Sequence, residues 1–489
     1  MTLLFLALPF VGALVLFLLG KKARFAQVFN LVLQLAWLAL MFFVHGQSRE
    51  IAGNGGFPLV YSWKWLPQLK SSLSLGIDGL NLPLLWLTVI LSLCLGLYAY
   101  GKDKLDGSYL GLFSVLNGAT VGSLLAADAL AFYIFWEFML IPMYFLIGKW
   151  GSKNRVYAAL KFFAMTMGGS LLMLLAIVAL AFRPDVSDLG WHSLTQLALP
   201  WDGQWNSWQG LLFVGFFAAF AVKIPVWPLH TWLPDAHTEA PTGGSVILAG
   251  VLLKLGVYGL LRWCLPIVPQ ASMAAAPLMF ALGVAGILLG SFAAWQQTDI
   301  KRLIAYSSVA HLGFMVLGVF SGNVEAMQGA VFQNIAHGLS TGAMFLIFGM
   351  IYDRTHSREL DAYGGFAKDH AWIATLFLVA VFASVGMPGL PGFVGEFLVL
   401  VGTFAVAPWT AVLASLGVLL GAVYMLTLVR KMMFGPTSSL VASHPVRLGW
   451  NEWAAILPLI ALMLYLGFGA QTLLGLSETD LRELAVKLR

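Results

Sequence analysis

Four charged residues stand inside long apolar runs, where solvation does nothing for them: Glu137, Lys223, Lys254 and Glu396. A charge at the centre of a membrane helix costs roughly 2.5 to 3.5 kcal/mol on insertion scales, so four together cost on the order of 10 kcal/mol. Carboxyl and amine groups kept at that cost can hold and pass a proton. Glu137, in Phe135-Trp-Glu-Phe-Met-Leu-Ile-Pro142, lies about eight residues into its run, about 12 Å along a helix rising about 1.5 Å per residue and near the midplane. Lys223 and Lys254 lie deeper still, and a lysine stem reaches only about one turn towards a headgroup. Burial disfavours the charged amine and a nearby carboxylate favours it, so the proton affinity of Lys223 depends on how close an acid stands. The alternatives are a protonated Glu137 bonded to a neighbouring helix and a permanent ion pair that holds helices together.

Glu396 follows Gly392-Phe-Val-Gly395. The glycines permit close helix approach, which leaves the carboxyl itself to be explained, and a terminal proton site explains it. His311 and His337 can relay protons, because imidazole titrates near neutrality; they can equally be satisfied by Ser307, Ser308 and Ser340. Lys161 lies near the end of its run, where it either joins the path or snorkels to the interface.

The elements that must position these residues follow from composition. The chain has 489 residues, 60% hydrophobic and 10% charged, against roughly 25% charged in soluble domains. A water-soluble fold is excluded. The pattern predicts one all-α, polytopic integral domain over residues 1–489. About 20 apolar residues per crossing give about fourteen spans, starting near Thr2, Ala26, Ile77, Tyr109, Ala129, Tyr157, Trp208, Thr242, Met273, Arg302, Ala326, Trp372, Trp409 and Glu452. The first segment has no basic residue before it and no small-residue cleavage site, so it reads as a span and not as a removed signal peptide.

Spans seven and twelve are broken by proline, at Lys223-Ile-Pro225-Val-Trp-Pro228 and at Gly386-Met-Pro388-Gly-Leu-Pro391-Gly. Proline removes a backbone donor, and unwound backbone at membrane depth survives only beside protein or a wet cavity. The breaks lie five spans apart. They divide the chain into three N-terminal helices (1–108), a five-helix unit (109–264), a second unit (273–434) and a last helix with an amphipathic tail (452–489). An odd helix number per unit makes the two units inverted repeats.

Of the 27 basic residues, sixteen fall in odd-numbered loops and eight in even-numbered loops and the tail, with Lys161, Lys223 and Lys254 in spans. The excess belongs to the cytoplasm, so both termini face the other side. The net charge of +5 comes with no basic face of the kind that reads nucleic acid. Cys94 and Cys264 form no ligand set for a cluster or zinc. In the tail, Leu481, Leu484, Ala485 and Leu488 share a helical face suited to a neighbouring subunit or to lipid.

Ile77-Asp-Gly-Leu, Phe135 to Ile147, Ala221 to Thr242 and Gln297 to Ser308 resemble the antiporter-like membrane subunits of proton-pumping NADH:quinone oxidoreductase, respiratory complex I. The resemblance runs from about Asp78 onward, and glutamate at 396 favours the subunit M branch over the L and N branches, which usually carry lysine there. It implies that Glu137 pairs with Lys223, that Lys254 and the histidines form a central hydrophilic axis, and that Glu396 is the final site. It also implies a bacterial inner-membrane location and sister antiporter-like subunits as partners, with FMN, iron-sulfur clusters and the quinone site in other subunits. No dinucleotide glycine fingerprint occurs here. A multi-subunit sodium/proton antiporter or a membrane-bound hydrogenase shares the same motifs; a solute permease and a membrane scaffold are more distant alternatives. Residues 1–50 and 183–208 match no pattern.

Overall fold

Helix starts in this chain are set by side chains that accept otherwise unpaired backbone N–H groups. Asp106 accepts from Tyr109, Asp128 from Leu130 and Ala131, Ser207 from Gly210, Asp299 from Arg302, and Asn323 from Ala326. Asp78 accepts from Leu80 and Asn81, and this turn delays the third helix to Leu82, five residues beyond the expected Ile77. In the computed structural model residues 1–51 and 57–488 are described, with backbone alone at 49–51. Arg49 and Arg489, counted in the charge sort, lie outside the residues with described side chains.

The long helices are α1 (Thr2–Leu19), α2 (Ala23–Ile51), α3 (Leu82–Ala99), α4 (Gly107–Leu125), α5 (Ala129–Trp150), α6 (Arg155–Ala181), α7 (Trp208–Lys223), α8 (Trp232–Glu239), α9 (Thr242–Ile267), α10 (Pro269–Trp295), α11 (Ile300–Phe320), α12 (Val324–Thr355), α13 (Ala371–Val385), α14 (Pro391–Val406), α15 (Pro408–Met433), α16 (Trp450–Phe468) and α17 (Gln471–Leu488). Among the described residues twelve helices are long and apolar enough to cross a membrane. The chain is therefore an all-α polytopic membrane protein. The remaining apolar helices are short because proline interrupts them: α7 stops at Lys223 before Pro225 and Pro228, and α13 and α14 flank the stretch with Pro388. Both breaks fall where the sequence places them.

Helices α9, α11 and α12 are buried almost along their whole length, whereas α1, α2, α6, α10, α15 and α16 present large apolar side chains outward. The protein is thus a ring of apolar-faced helices around a buried trio. Helix α6 packs chiefly against α7, and α12 against α14, so each interrupted element leans on the helix before it, once through its first half and once through its second.

Three features depart from the sequence reading. A two-stranded antiparallel hairpin, β1 (Leu59–Leu66) with β2 (Ser71–Gly76), precedes α3; Asp128 ties it to the bundle by accepting from Ser71 Oγ at 2.8 Å and Ser72 N at 3.0 Å. Arg262, sorted to a loop, belongs to α9 and is 2% exposed. The apolar face of α17, expected on a neighbour or on lipid, folds back on the chain itself. Leu481, Leu484, Ala485 and Leu488 are all buried, against α12 and the junction of α9 and α10.

Candidate functional site

The buried trio carries a continuous line of titratable side chains. Lys254 on α9 donates from Nζ to the Ala249 carbonyl at 2.6 Å and stands 2.5 Å from Nδ1 of His337 on α12. Short π-helical segments, Leu248–Leu252 and Leu260–Cys264, flank the turn that bears it; such widened turns unseat the regular backbone ladder and free carbonyls for side chains. The His337 ring lies 5.4 Å, centroid to centroid, from that of His311 on α11. His311 Nδ1 is 2.7 Å from Glu396 Oε1, which also accepts from Gln333 Nε2 at 3.1 Å. The other His311 nitrogen, Nε2, bonds Ser384 Oγ at 3.1 Å. All four members are at most 5% exposed. Glu396 sits in the first turns of α14, just after the second break, where Gly395 admits α12: a Cβ there would lie 2.4 Å from Gln333 Oε1.

The serines weighed as partners for the histidines do not serve them. Ser307 and Ser308 donate to the Ile304 carbonyl and Ser340 to that of His337. Ser384, which carried no sequence signal, takes that position.

Glu137 and Lys223 are arranged otherwise. Glu137 lies in α5 one turn before Pro142, which has no N–H to return to Phe138, so the backbone beside the carboxyl is locally relaxed. Its Oε1 has no partner, nor has Nζ of Lys223, which is 1% exposed and stands 5.0 Å from the centroid of the Trp136 ring. The two charges influence one another without an ion pair. Lys161 is not on the line: it donates to Asp235 Oδ2 at 2.7 Å, with Arg302 3.5 Å from the other oxygen.

Several polar residues that the sequence reading did not select belong to this system. His237 on α8 is fully buried, has no partner on either nitrogen, stacks on Phe345 at 4.8 Å, and lies within electrostatic reach of both Lys254 and Lys301. Lys301 donates to the Ala240 carbonyl at 2.8 Å and lines an open cavity of about 1160 Å³. Lys102, Lys104, Lys153, Arg354 and Arg358 line the same cavity, so the basic residues of odd-numbered loops meet on one face. The available signal was the polar run His230, Asp235, His237 and Glu239 in an otherwise apolar region. Among the described residues no His, Cys, Asp and Glu cluster suits a metal ion.

In sequence and fold the chain is similar to known membrane subunits. Residues 126–421 match the family described as NADH:quinone oxidoreductase/Mrp antiporter, TM. The chain is 43% identical to NADH-quinone oxidoreductase subunit M of Rhodobacter capsulatus, over 85% of this chain and 82% of that one. It is 40% identical to the subunit of the same name in Escherichia coli K12, over 96% and 95%. It superposes on a chain of respiratory complex I from Thermus thermophilus, solved with bound NADH, with a TM-score of 0.90, 30% identity and full coverage of both chains. A chain of the Mrp complex from Dietzia sp. shares the fold, with a TM-score of 0.85 and 21% identity over 99% of this chain and 97% of that one.

Proposed function

The chain belongs to the NADH:quinone oxidoreductase/Mrp antiporter membrane family, and from that premise we propose how it works as a proton-translocating, antiporter-like subunit in the membrane arm of NADH:quinone oxidoreductase. It is a translocase part of that enzyme, seated among sister antiporter-like subunits in the bilayer. Partner subunits carry the flavin mononucleotide, the iron-sulfur clusters and the quinone site, and electron transfer takes place there. The membrane is the bacterial inner membrane. With the basic cavity on the cytoplasmic face, as the excess of lysine and arginine requires, both termini are periplasmic. Taking each interrupted pair, α7 with α8 and α13 with α14, as one crossing brings the count to fourteen, with inverted five-helix units at 109–264 and 273–434.

The observation that carries the mechanism is the run of close contacts Lys254, His337, His311, Glu396 through the buried trio. An ammonium can pass a proton to an imidazole, and an imidazole to a carboxylate, when donor and acceptor stand at hydrogen-bond distance, and the step between the two imidazoles, with no direct hydrogen bond, goes through one bridging water. Glu137 and Lys223 are the switch ahead of this line. Unit charges about 4 Å apart at an effective dielectric of about 20 interact by about 4 kcal/mol, which is about three decades of proton affinity. A signal from the redox subunits that brings Glu137 up to Lys223 holds its proton in place. Withdrawal of Glu137 sends the proton through Lys254 and the histidines to Glu396, and from there outward. Lys161, bonded to Asp235, sets the charge beside the first break.

The test is proton pumping and quinone reductase activity in membranes carrying Glu137→Gln, with assembly followed on native gels. Collapse of both activities in an assembled complex is expected. Normal pumping by the assembled variant makes the carboxyl structural and overturns the switch.

A further inference from the structure

On the face that carries α17, a second buried group of charges lies apart from the line. Asp78 in the turn before α3, Arg262 near the end of α9 and Asp480 on α17 converge from three distant parts of the chain. The Arg262 guanidinium pairs with Asp78, lies 3.9 Å from the centroid of the Phe57 ring, and leaves its Nε without a partner although the residue is 2% exposed. The Asp480 carboxyl sits against the Gly79 backbone. At that point α17 approaches so closely that a Cβ on Gly79 would lie 1.6 Å from the Leu476 carbonyl oxygen and 3.0 Å from Asp480 Oδ2. The charged and titratable groups facing Asp480 are Asp78 and Arg262 from the body and Glu483 from its own helix, with Tyr258 beside Arg262. One guanidinium is therefore paired with the buried Asp78 carboxyl and lies near the half-buried Asp480 carboxyl, and like charges so placed cannot both ionise without penalty.

We propose that Asp480, held beside the Gly79 turn and the Asp78–Arg262 pair, is a proton-binding site whose proton, taken from the aqueous phase on that face, permits α17 to dock on the bundle. The direction agrees: burial first, and the neighbouring Asp78 second, hold the Asp480 carboxyl well above the usual carboxylate range. The docked helix binds this proton more tightly than the free helix does. Docking is therefore complete below the ordinary aspartate value of about 3.9 and weakens as pH rises through the raised one. With the orientation proposed above, the phase that supplies this proton is the one into which the line discharges, so α17 reads the product side of pumping. The site does not depend on the line, and its failure leaves the line untouched.

The experiment uses the intact solubilised complex with spin labels at Gly475→Cys and Lys64→Cys. Both positions are exposed, and the native Cys94 and Cys264 are buried. The inter-label distance is expected to lengthen and broaden as pH rises from about 5 to about 9, a range that spans the expected raised value. Asp480→Asn, neutral at every pH, is expected to stay docked throughout. Asp78→Asn, which frees Arg262 to serve Asp480 alone, is expected to move the transition at least about one pH unit towards acid. A wild-type distance that ignores pH, an Asp480→Asn complex that keeps the same transition, or an unmoved transition in Asp78→Asn each overturns the proposal.

Discussion

The line from Lys254 to Glu396 and the region of Glu137 and Lys223 hold their charges under opposite conditions. Along the line, Lys254, His337, His311 and Glu396 each have a polar or aromatic partner on another helix. Glu137 Oε1 and Lys223 Nζ have no hydrogen-bond partner, and Lys223, as deeply buried as Lys254, has only the Trp136 ring beside it. An unpartnered buried charge is costly, and one held at hydrogen-bond distance is much less so. The difference separates two tasks that composition alone cannot tell apart. In the proposed mechanism the closely spaced series conducts, with a direct contact at each end and one gap between the two imidazoles. An unpartnered pair switches, because small movements change its energy by several kcal/mol.

The sharpest way to break this contrast is Lys254→Arg. Arginine keeps the charge and can still face His337, yet it does not release its proton in proteins. If the line conducts, pumping and coupled quinone reduction fall by about a hundredfold or more, the scale expected when a proton-transfer group is lost, while native gels show an assembled complex. Pumping at the wild-type level would mean that Lys254 supplies charge alone and that the contacts beyond it are structural.

Lys223→Arg asks the same of the switch and has a second expected consequence. A guanidinium reaches further and binds carboxylate in bidentate fashion, so it closes on Glu137 and stays closed. Pumping is expected to fall by about tenfold or more, with assembly intact or slightly improved. A variant that pumps normally removes the distinction between an open and a closed pair.

Gly395→Ala tests whether the close approach of α12 and α14 is what completes the line. The added methyl meets Gln333 Oε1 at 2.4 Å and displaces the amide that supports Glu396. Overpacking of this kind costs about 1 to 3 kcal/mol; with about 1 to 1.4 kcal/mol of it felt at the Glu396 site, pumping is expected to drop roughly five- to tenfold, with His311 and Glu396 themselves unchanged. Unaltered pumping would show that Gln333 is dispensable and that His311 alone holds the carboxyl.

Much of this contrast was legible in the residues. Proline at 225, 228 and 388 marks the two breaks, and each of the four intramembrane charges stands out against its apolar run. Helix starts could be placed to within five residues because the apolar runs begin sharply after short polar loops. The partners were not legible, for a physical reason. Asp235, His237 and Lys301 lie next to helix ends or breaks, where a hydropathy window counts polar residues as loop. Whether such a residue turns inward depends on packing between distant segments. Arg262 shows the same effect, since only the approach of Asp78 and α17 makes its burial affordable. Ser384 is a still plainer instance: a serine in an apolar helix has no distinguishing pattern, and only the position of α11 brings His311 to it.

Ser384→Ala is accordingly the smallest and most discriminating change. Ser384 Oγ bonds His311 Nε2 while Nδ1 faces Glu396, and the hydrogen bond at one ring nitrogen sets which tautomer the other presents. Loss of one such bond is worth about 0.5 to 1.5 kcal/mol, so pumping is expected to fall about two- to tenfold with assembly unchanged. Ser384→Thr, which keeps the hydroxyl, should restore most of the loss. If alanine has no effect, His311 finds its tautomer without help, and the line ends in a simple ion pair with Glu396. If alanine impairs pumping and threonine restores it, the line owes its conduction to orientation as well as to proximity. In the proposed mechanism Glu137 and Lys223 have no such requirement, since they switch on distance.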